Sequence, residues 1–319
     1  MPDDSPDRSD DAVTRSRMER LRGEQAKLTG RLERTREQLE AKRPDSPFLD
    51  TALRALERDV AAGGGVLAGA VAFRVFLFMI PYVFLVVVVF GLGASAGDED
   101  PTTLARSAGI GGVARKAFEA IGDLSTTERI ISFFVAASAL LLATRALLKV
   151  LRIVHALVWR TRAGKPVSMA RAAGVLVLVV TAALALVGLI GKLRGESFVI
   201  GLVATLLFVV IPCVIWVVVS WHMPHAPGIP WTALLPGAIF FGLGLGVLHV
   251  ITVYWIAAQI EHKTDTYGAI GSALVLLLWA YLLGRLITSA AVINETLWAR
   301  DVERRRARGE HRRGERDAP

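Results

Sequence analysis

The stretch GGVLAGAVAFRVFLFMIPYVFLVVVVFGL, residues 64–92, decides the class of this protein. One charge, Arg74, interrupts it, and about 20 predominantly apolar residues are enough for a helix to cross a bilayer. Working outward, five further stretches meet the same requirement: 130–150, 172–191, 198–220, 235–258 and 269–293. The sequence therefore predicts an all-α, polytopic membrane bundle of six transmembrane helices, preceded by an amphipathic interfacial helix. Composition agrees, since 53% of the 319 residues are hydrophobic and the mean hydropathy is +0.47, whereas soluble domains hold roughly 45–50% apolar residues.

The apolar excess sits in the middle of the chain and divides it into three regions. Residues 1–45 form a charged arm, 46–298 the membrane domain and 299–319 an arginine-rich tail. In the arm, Leu21, Leu28, Leu32 and Leu39 hold no single heptad register, so the expectation is a solvated helix or disorder rather than a coiled coil. Ser46-Pro47 opens a different segment, in which Phe48, Leu49, Leu53, Leu56 and Val60 recur at helical spacing opposite Arg54, Glu57, Arg58 and Asp59. That pattern predicts a helix lying on the inner membrane surface; a soluble helix packed on the rest of the protein is the alternative. The first apolar run begins near Ala61, too deep for a cleaved signal peptide, so the internal spans are expected to direct insertion.

Lys and Arg near the span ends set the orientation. With the N-terminus inside, the inner side receives Arg54 and Arg58, the loop from Lys149 to Arg171, and the arginines of the tail. The outer side receives only Arg106, Arg115, Lys116, Arg129, Lys192, Arg194 and Lys263. Both termini are thus expected in the cytoplasm of a bacterial-type plasma membrane. The net charge of +8 follows from this asymmetry and is not read as a nucleic-acid surface. Arg300, Arg304, Arg305, Arg306, Arg308, Arg312, Arg313 and Arg316 follow the last span directly; the tail is expected either to lie on the inner leaflet, where continuing the last helix is one way to do so, or only to fix orientation.

Packing signals lie within the spans. Gly65 and Gly69, and again Gly242 and Gly246, are small residues four apart, which let helices approach closely in lipid. The second pair lies inside a span with no strand before it, so it does not read as a phosphate loop. Pro81 and Pro212 fall within the first and fourth spans, where each removes a backbone donor and is expected to kink its helix. Matching kinks in the first and fourth of six spans would suit a three-plus-three inverted repeat.

Catalytic chemistry is hard to build from these residues. His222 and His225 have no carboxylate or cysteine nearby, and Pro224 separates them, so they make a poor metal pair. The lone Cys213 allows no intrachain disulfide and no cysteine cluster. The central part of every span lacks Asp and Glu, with Glu295 only near a helix end, which disfavours a proton-coupled carrier built on a buried carboxylate. No enzymatic activity, cofactor or metal is expected.

The sixth span reads Tyr267-Gly-Ala-Ile-Gly-Ser272, then Leu277-Leu-Trp-Ala-Tyr-Leu282, and ends near Asn294. With Leu235-Pro-Gly-Ala238 opening the fifth span and Ala72-Phe73, Phe78 and Pro81 in the first, this resembles the YihY/BrkB family of bacterial inner-membrane proteins over residues 48–298. The family often ends in a Gly-Ala-Glu-Leu-Asn-like run; Ala290-Ala-Val-Ile-Asn294 lacks that glycine and acid, so no role of the glutamate is carried over. The resemblance implies six helices with cytoplasmic termini and a cell-envelope role for which transport is the leading idea. An older label in the family, a transfer-RNA-processing ribonuclease, finds no support in these residues.

Three arginines interrupt the spans. At about 1.5 Å per residue, Arg74 lies roughly 15 Å, Arg285 roughly 12 Å and Arg145 roughly 8 Å from the inner ends of their helices. An arginine at that depth needs a partner or a route to water, and the spans offer no carboxylate. The expectation is that Arg74, Arg145 and Arg285 line one cationic cavity open to the inner leaflet, taking an anionic lipid headgroup or similar anion. Arg145 and Arg285 could alternatively snorkel to the headgroups. Transport or lipid handling is the first functional reading; a membrane scaffold acting through tails and the long outer loop is the second. The partners expected are anionic membrane lipids and no nucleic acid, with a homo-oligomer left open.

Overall fold

A computed structural model of the protein describes residues 30, 37–38, 40–43, 46–97, 125–164, 168–175, 177–178, 198–252 and 257–316. Among them the regular structure is entirely helical: α1 (Pro47–Ala61), α2 (Gly64–Gly97), α3 (Thr126–Val158), α4 (Phe198–His222), a 3₁₀ turn (Trp231–Leu234), α5 (Leu235–Ile251) and α6 (Ala257–Arg316). By contacts the chain divides into two compact units, Met1–Leu56 and Glu57–Pro319.

The first unit is held by local bonds. Ser46 Oγ accepts from the amide of Leu49 at 3.3 Å, and Pro47 occupies the first turn, where its missing N–H costs nothing. Asp50 accepts from Arg43 Nε at 2.9 Å and from Arg54 Nε at 3.1 Å. Phe48, Leu56 and Val60 of α1 are all exposed, as an apolar stripe laid on a bilayer surface would be.

In the second unit, four helices are long and apolar enough to cross a membrane: Gly64–Val89, Thr127–Val158, Trp231–Ile251 and Ala273–Arg308; Leu206–His222 is a shorter apolar helix. Their large side chains turn outward, Val66, Phe134, Leu142, Val247 and Leu274 each being at least 60% exposed. In water such a surface would aggregate; in lipid it costs nothing, and close packing is left to small residues. α6 packs along α2 and along α5, α3 packs on α2, and α4 packs on α5.

Several boundaries depart from the sequence reading. α3 begins at Thr126 rather than 130, because Ser125 and Glu128 close a capping box, and it runs to Val158 rather than 150. α5 ends at Ile251 and α6 is already helical from Ala257, so the expected loop at 259–268 belongs to the last helix. That helix continues to Arg316, which makes the tail a direct extension of it. The expected third span, 172–191, lies outside the described residues beyond 178. α2 and α4 run on through Pro81 and Pro212.

Candidate functional site

The site grows from a corner. α1 ends in a turn at Gly63, whose φ of 69° is open to glycine and strained for any residue with a side chain. At Gly64, where α2 begins, an added Cβ would collide with the Asp59 carboxylate. Two glycines thus fold the carboxylate of Asp59 back over the start of α2, where the helix dipole favours a negative charge.

Asp59 there meets the last helix. Its Oδ2 accepts from Arg285 Nη2 at 2.9 Å, and its Oδ1 lies 3.4 Å from Nη1, a two-pronged pair. Its sequence neighbour makes a second pair of opposite sense: Arg58 Nε donates to Glu295 Oε2 at 3.0 Å, and its Nη2 donates to the backbone carbonyl of Val158 at the end of α3. The four side chains are largely shielded, 12% exposed for Arg58 and Asp59, 17% for Glu295 and 32% for Arg285. Arg58 and Asp59 therefore tie the start of α2, the end of α3 and the middle of α6 together at one end of the bundle, the ionic end.

Arg285 has a second face. With Phe240, Gly244, Leu248, Leu282 and Ser289 it lines a shallow, open cavity of about 230 Å³ on the surface between α5 and α6. The lining residues are apolar apart from Arg285 and Ser289. Arg74 and Arg145 do not line this cavity. Arg74 is half-buried, its guanidinium 5.9 Å from the ring centre of adjacent Phe73. Arg145 is exposed on α3, and its side chain makes no hydrogen bond or ion pair among the described residues. Of the three arginines expected to converge, the structure places only Arg285 at this cavity. Arg285 finds its carboxylate outside the expected spans, in Asp59 of the helix assigned to the membrane surface.

Close contacts hold this scaffold. At Gly284 a Cβ would strike the carbonyl of Ala68, so α6 lies against α2 through Gly284, Ala68 and Ala72. Gly65 and Gly69 do not serve this contact, since a Cβ at either meets nothing within 4 Å. Gly242 does sit tightly, against Cys213 and the carbonyl of Val209 on α4, and a Cβ at Gly246 would lie 3.7 Å from Val209 Cγ2. Leu234 gives the start of α5 no side-chain cap. Buried Asn294 supplies one from α6, its Oδ1 accepting from the Gly237 amide at 2.7 Å. Farther along, Trp279 Nε1 donates to Thr252 Oγ1 at 2.8 Å and ties the interior of α6 to the end of α5.

Arg58, Asp59 and Glu295 were missed as site residues by reasoning from the sequence alone. The signal was present: an arginine within a span needs a counter-charge, and Asp59 and Glu295 stand at the ends of the neighbouring spans. His222 and His225 direct ring nitrogens to the backbone carbonyls of Val218, Ala226 and Trp221. Among the described residues no group of three His, Cys, Asp or Glu could hold a metal ion.

Residues 55–315 match the family model described as Virulence factor BrkB. Nothing matches among curated proteins or among solved structures.

Proposed function

The chain belongs to the BrkB family and is an integral membrane protein, and from that premise we propose that it handles an anionic lipid or solute at the cytoplasmic leaflet of the bacterial plasma membrane, with Arg285 as the anion-binding group. One observation carries this reading: Arg285 lines an apolar cavity between two helices and is at the same time held by Asp59. The carboxylate is then a resting occupant of the arginine, and an incoming phosphate or carboxylate competes with it for the same two N–H groups. The cavity's apolar walls suit acyl chains. Exposed Arg145 draws anionic headgroups toward the bundle, and half-buried Arg74 adds positive potential within the leaflet.

Six spans and cytoplasmic termini are part of the proposal. Phe241 stacks on Trp216 and His249 lies against Phe208, so α4 and α5 run antiparallel, and Gly237 sits beside Asn294. α3 thus ends at the ionic end while α4 begins at the opposite one; a crossing between them, taken as the apolar stretch 172–191, belongs to the proposed topology. Placing the ionic end in the cytoplasm puts the arginines of α6 on the side that Lys and Arg favour.

The test is flux of labelled anionic lipid, and of labelled organic anions, in liposomes carrying the purified protein. Arg285→Gln abolishes flux even when liposomes carry equal amounts of folded protein. Absence of flux for every anion tried would favour a scaffold. The specific feature behind that second reading is the extension of α6, which runs to Arg316, roughly 35 Å past the expected span end at 293.

A further inference from the structure

Unpartnered polar atoms are costly inside a bilayer, because no water is there to bond them. Three of the buried side-chain atoms without a partner among the described residues sit near one another: His155 Nε2 on α3, and Trp216 Nε1 and Ser220 Oγ on α4. These residues are only 1%, 4% and 2% exposed. The His155 and Trp216 rings are 6.2 Å apart, and Ser220 lies one turn beyond Trp216 on the same helix. Phe241 stacks on Trp216 at 4.2 Å and fixes the plane of the indole.

The donors and acceptors in this group are complementary. His155 Nδ1 lies 2.9 Å from the carbonyl of Leu151, which can only accept. Nδ1 therefore carries the proton, and in the neutral ring Nε2 is a bare acceptor. The Trp216 indole is a donor, and the Ser220 hydroxyl is both. An anion would face the lone pair of Nε2, and a cation would face the indole N–H. A hydroxyl group, which both gives and takes a hydrogen bond, satisfies all three.

We propose that His155, Trp216 and Ser220 enclose a buried binding site for a single O–H group, either a water molecule or the hydroxyl of a glycerol-like alcohol. It is separate from the Arg285 cavity and stands whether or not that cavity takes an anion.

The experiment uses the full-length protein in nanodiscs of deuterated lipid, with ¹⁵N-labelled tryptophan. The Trp216 indole is assigned through Trp216→Phe or, if that variant does not accumulate, through the shift that Ser220→Ala produces. An occupied site gives magnetisation transfer from water to the Trp216 N–H, or a saturating shift of that resonance on titration with glycerol. The first marks water as the occupant and the second an alcohol. In either case Ser220→Ala lowers the melting temperature by several degrees, because a bonded hydroxyl is lost. A dry site gives neither signal, and Ser220→Ala then raises the melting temperature by removing an orphaned polar group. That pair of results would overturn the proposal.

Discussion

The pair between Asp59 and Arg285 can be measured by a double-mutant cycle of Asp59→Asn and Arg285→Gln. At a separation near 4 Å between charge centres, and an effective dielectric of about 20, the Coulomb attraction is about 4 kcal/mol. Losing one partner of a shielded pair costs about 3–5 kcal/mol. Arg285 retains 32% exposure, which lets water and headgroups compensate, so the expected single-mutant cost falls to about 1–3 kcal/mol. Arg285→Gln strands the more shielded partner, Asp59 at 12% exposure, and is the costlier change. Asp59→Asn leaves Arg285, which can turn toward water and headgroups. The double mutant should lose less than the sum of the singles, with a coupling energy of about 1–2 kcal/mol. Reversible unfolding in mixed micelles, followed by tryptophan fluorescence, supplies the four stabilities. Additivity within about 0.3 kcal/mol would mean that the pair contributes nothing, and Asp59 could not be the resting ligand of Arg285.

Asn294→Ala should lower stability by about 1–3 kcal/mol in the same assay, since it leaves the buried Gly237 amide without a partner; Asn294→Asp, which keeps an acceptor, should recover part of the loss. Gly284→Val should abolish accumulation of folded protein, because the α2 backbone blocks the new side chain, whereas Gly65→Val should be tolerated; fluorescence-detected size-exclusion of tagged protein reads both. The arginine-rich end of α6 should bind anionic vesicles at low salt and release them as salt rises, each arginine near the surface contributing about 1 kcal/mol; a peptide of residues 297–319 that ignores such vesicles would refute this. Reporter fusions after Asp59 and after Arg306 should both report cytoplasm, with one near Glu99 reporting the outside; an outward C-terminus would require an odd number of spans.

The long apolar helices were legible because twenty apolar residues in a row have few other uses. Their ends were less so. The capping box at Ser125-Thr-Thr-Glu128 was written in the sequence, but a hydropathy reading passes over it because all four residues are polar. Glu261, His262, Lys263 and Asp265 looked like a loop by polarity, yet the helix runs through them, since charge by itself does not break a helix. At the site, Arg285 stood out as a charge in a span. Its partner was hidden by a surface argument: Asp59 lies opposite the apolar stripe of α1, and amphipathicity assigns that face to water. Spacing also misdirected the packing. Gly65 and Gly69 share their interval with Ala68 and Ala72, and periodicity gives a contact's repeat without telling which side of the helix makes it.

The twin pairs also bear on how the chain is made. Asp59 and Arg58 find their partners 226 and 237 residues later. At about 5–20 residues per second, Asp59 is exposed to the insertion machinery for roughly 10–45 s before Arg285 has been synthesised. During that interval the corner at Gly63 has nothing to close upon, and the first helices are held by lipid and by each other. A ribosome that stops before α6 leaves two unmatched charges of opposite sign at the membrane boundary. A protease that samples charged ends at the membrane surface could distinguish an unfinished chain from a finished one by those two residues.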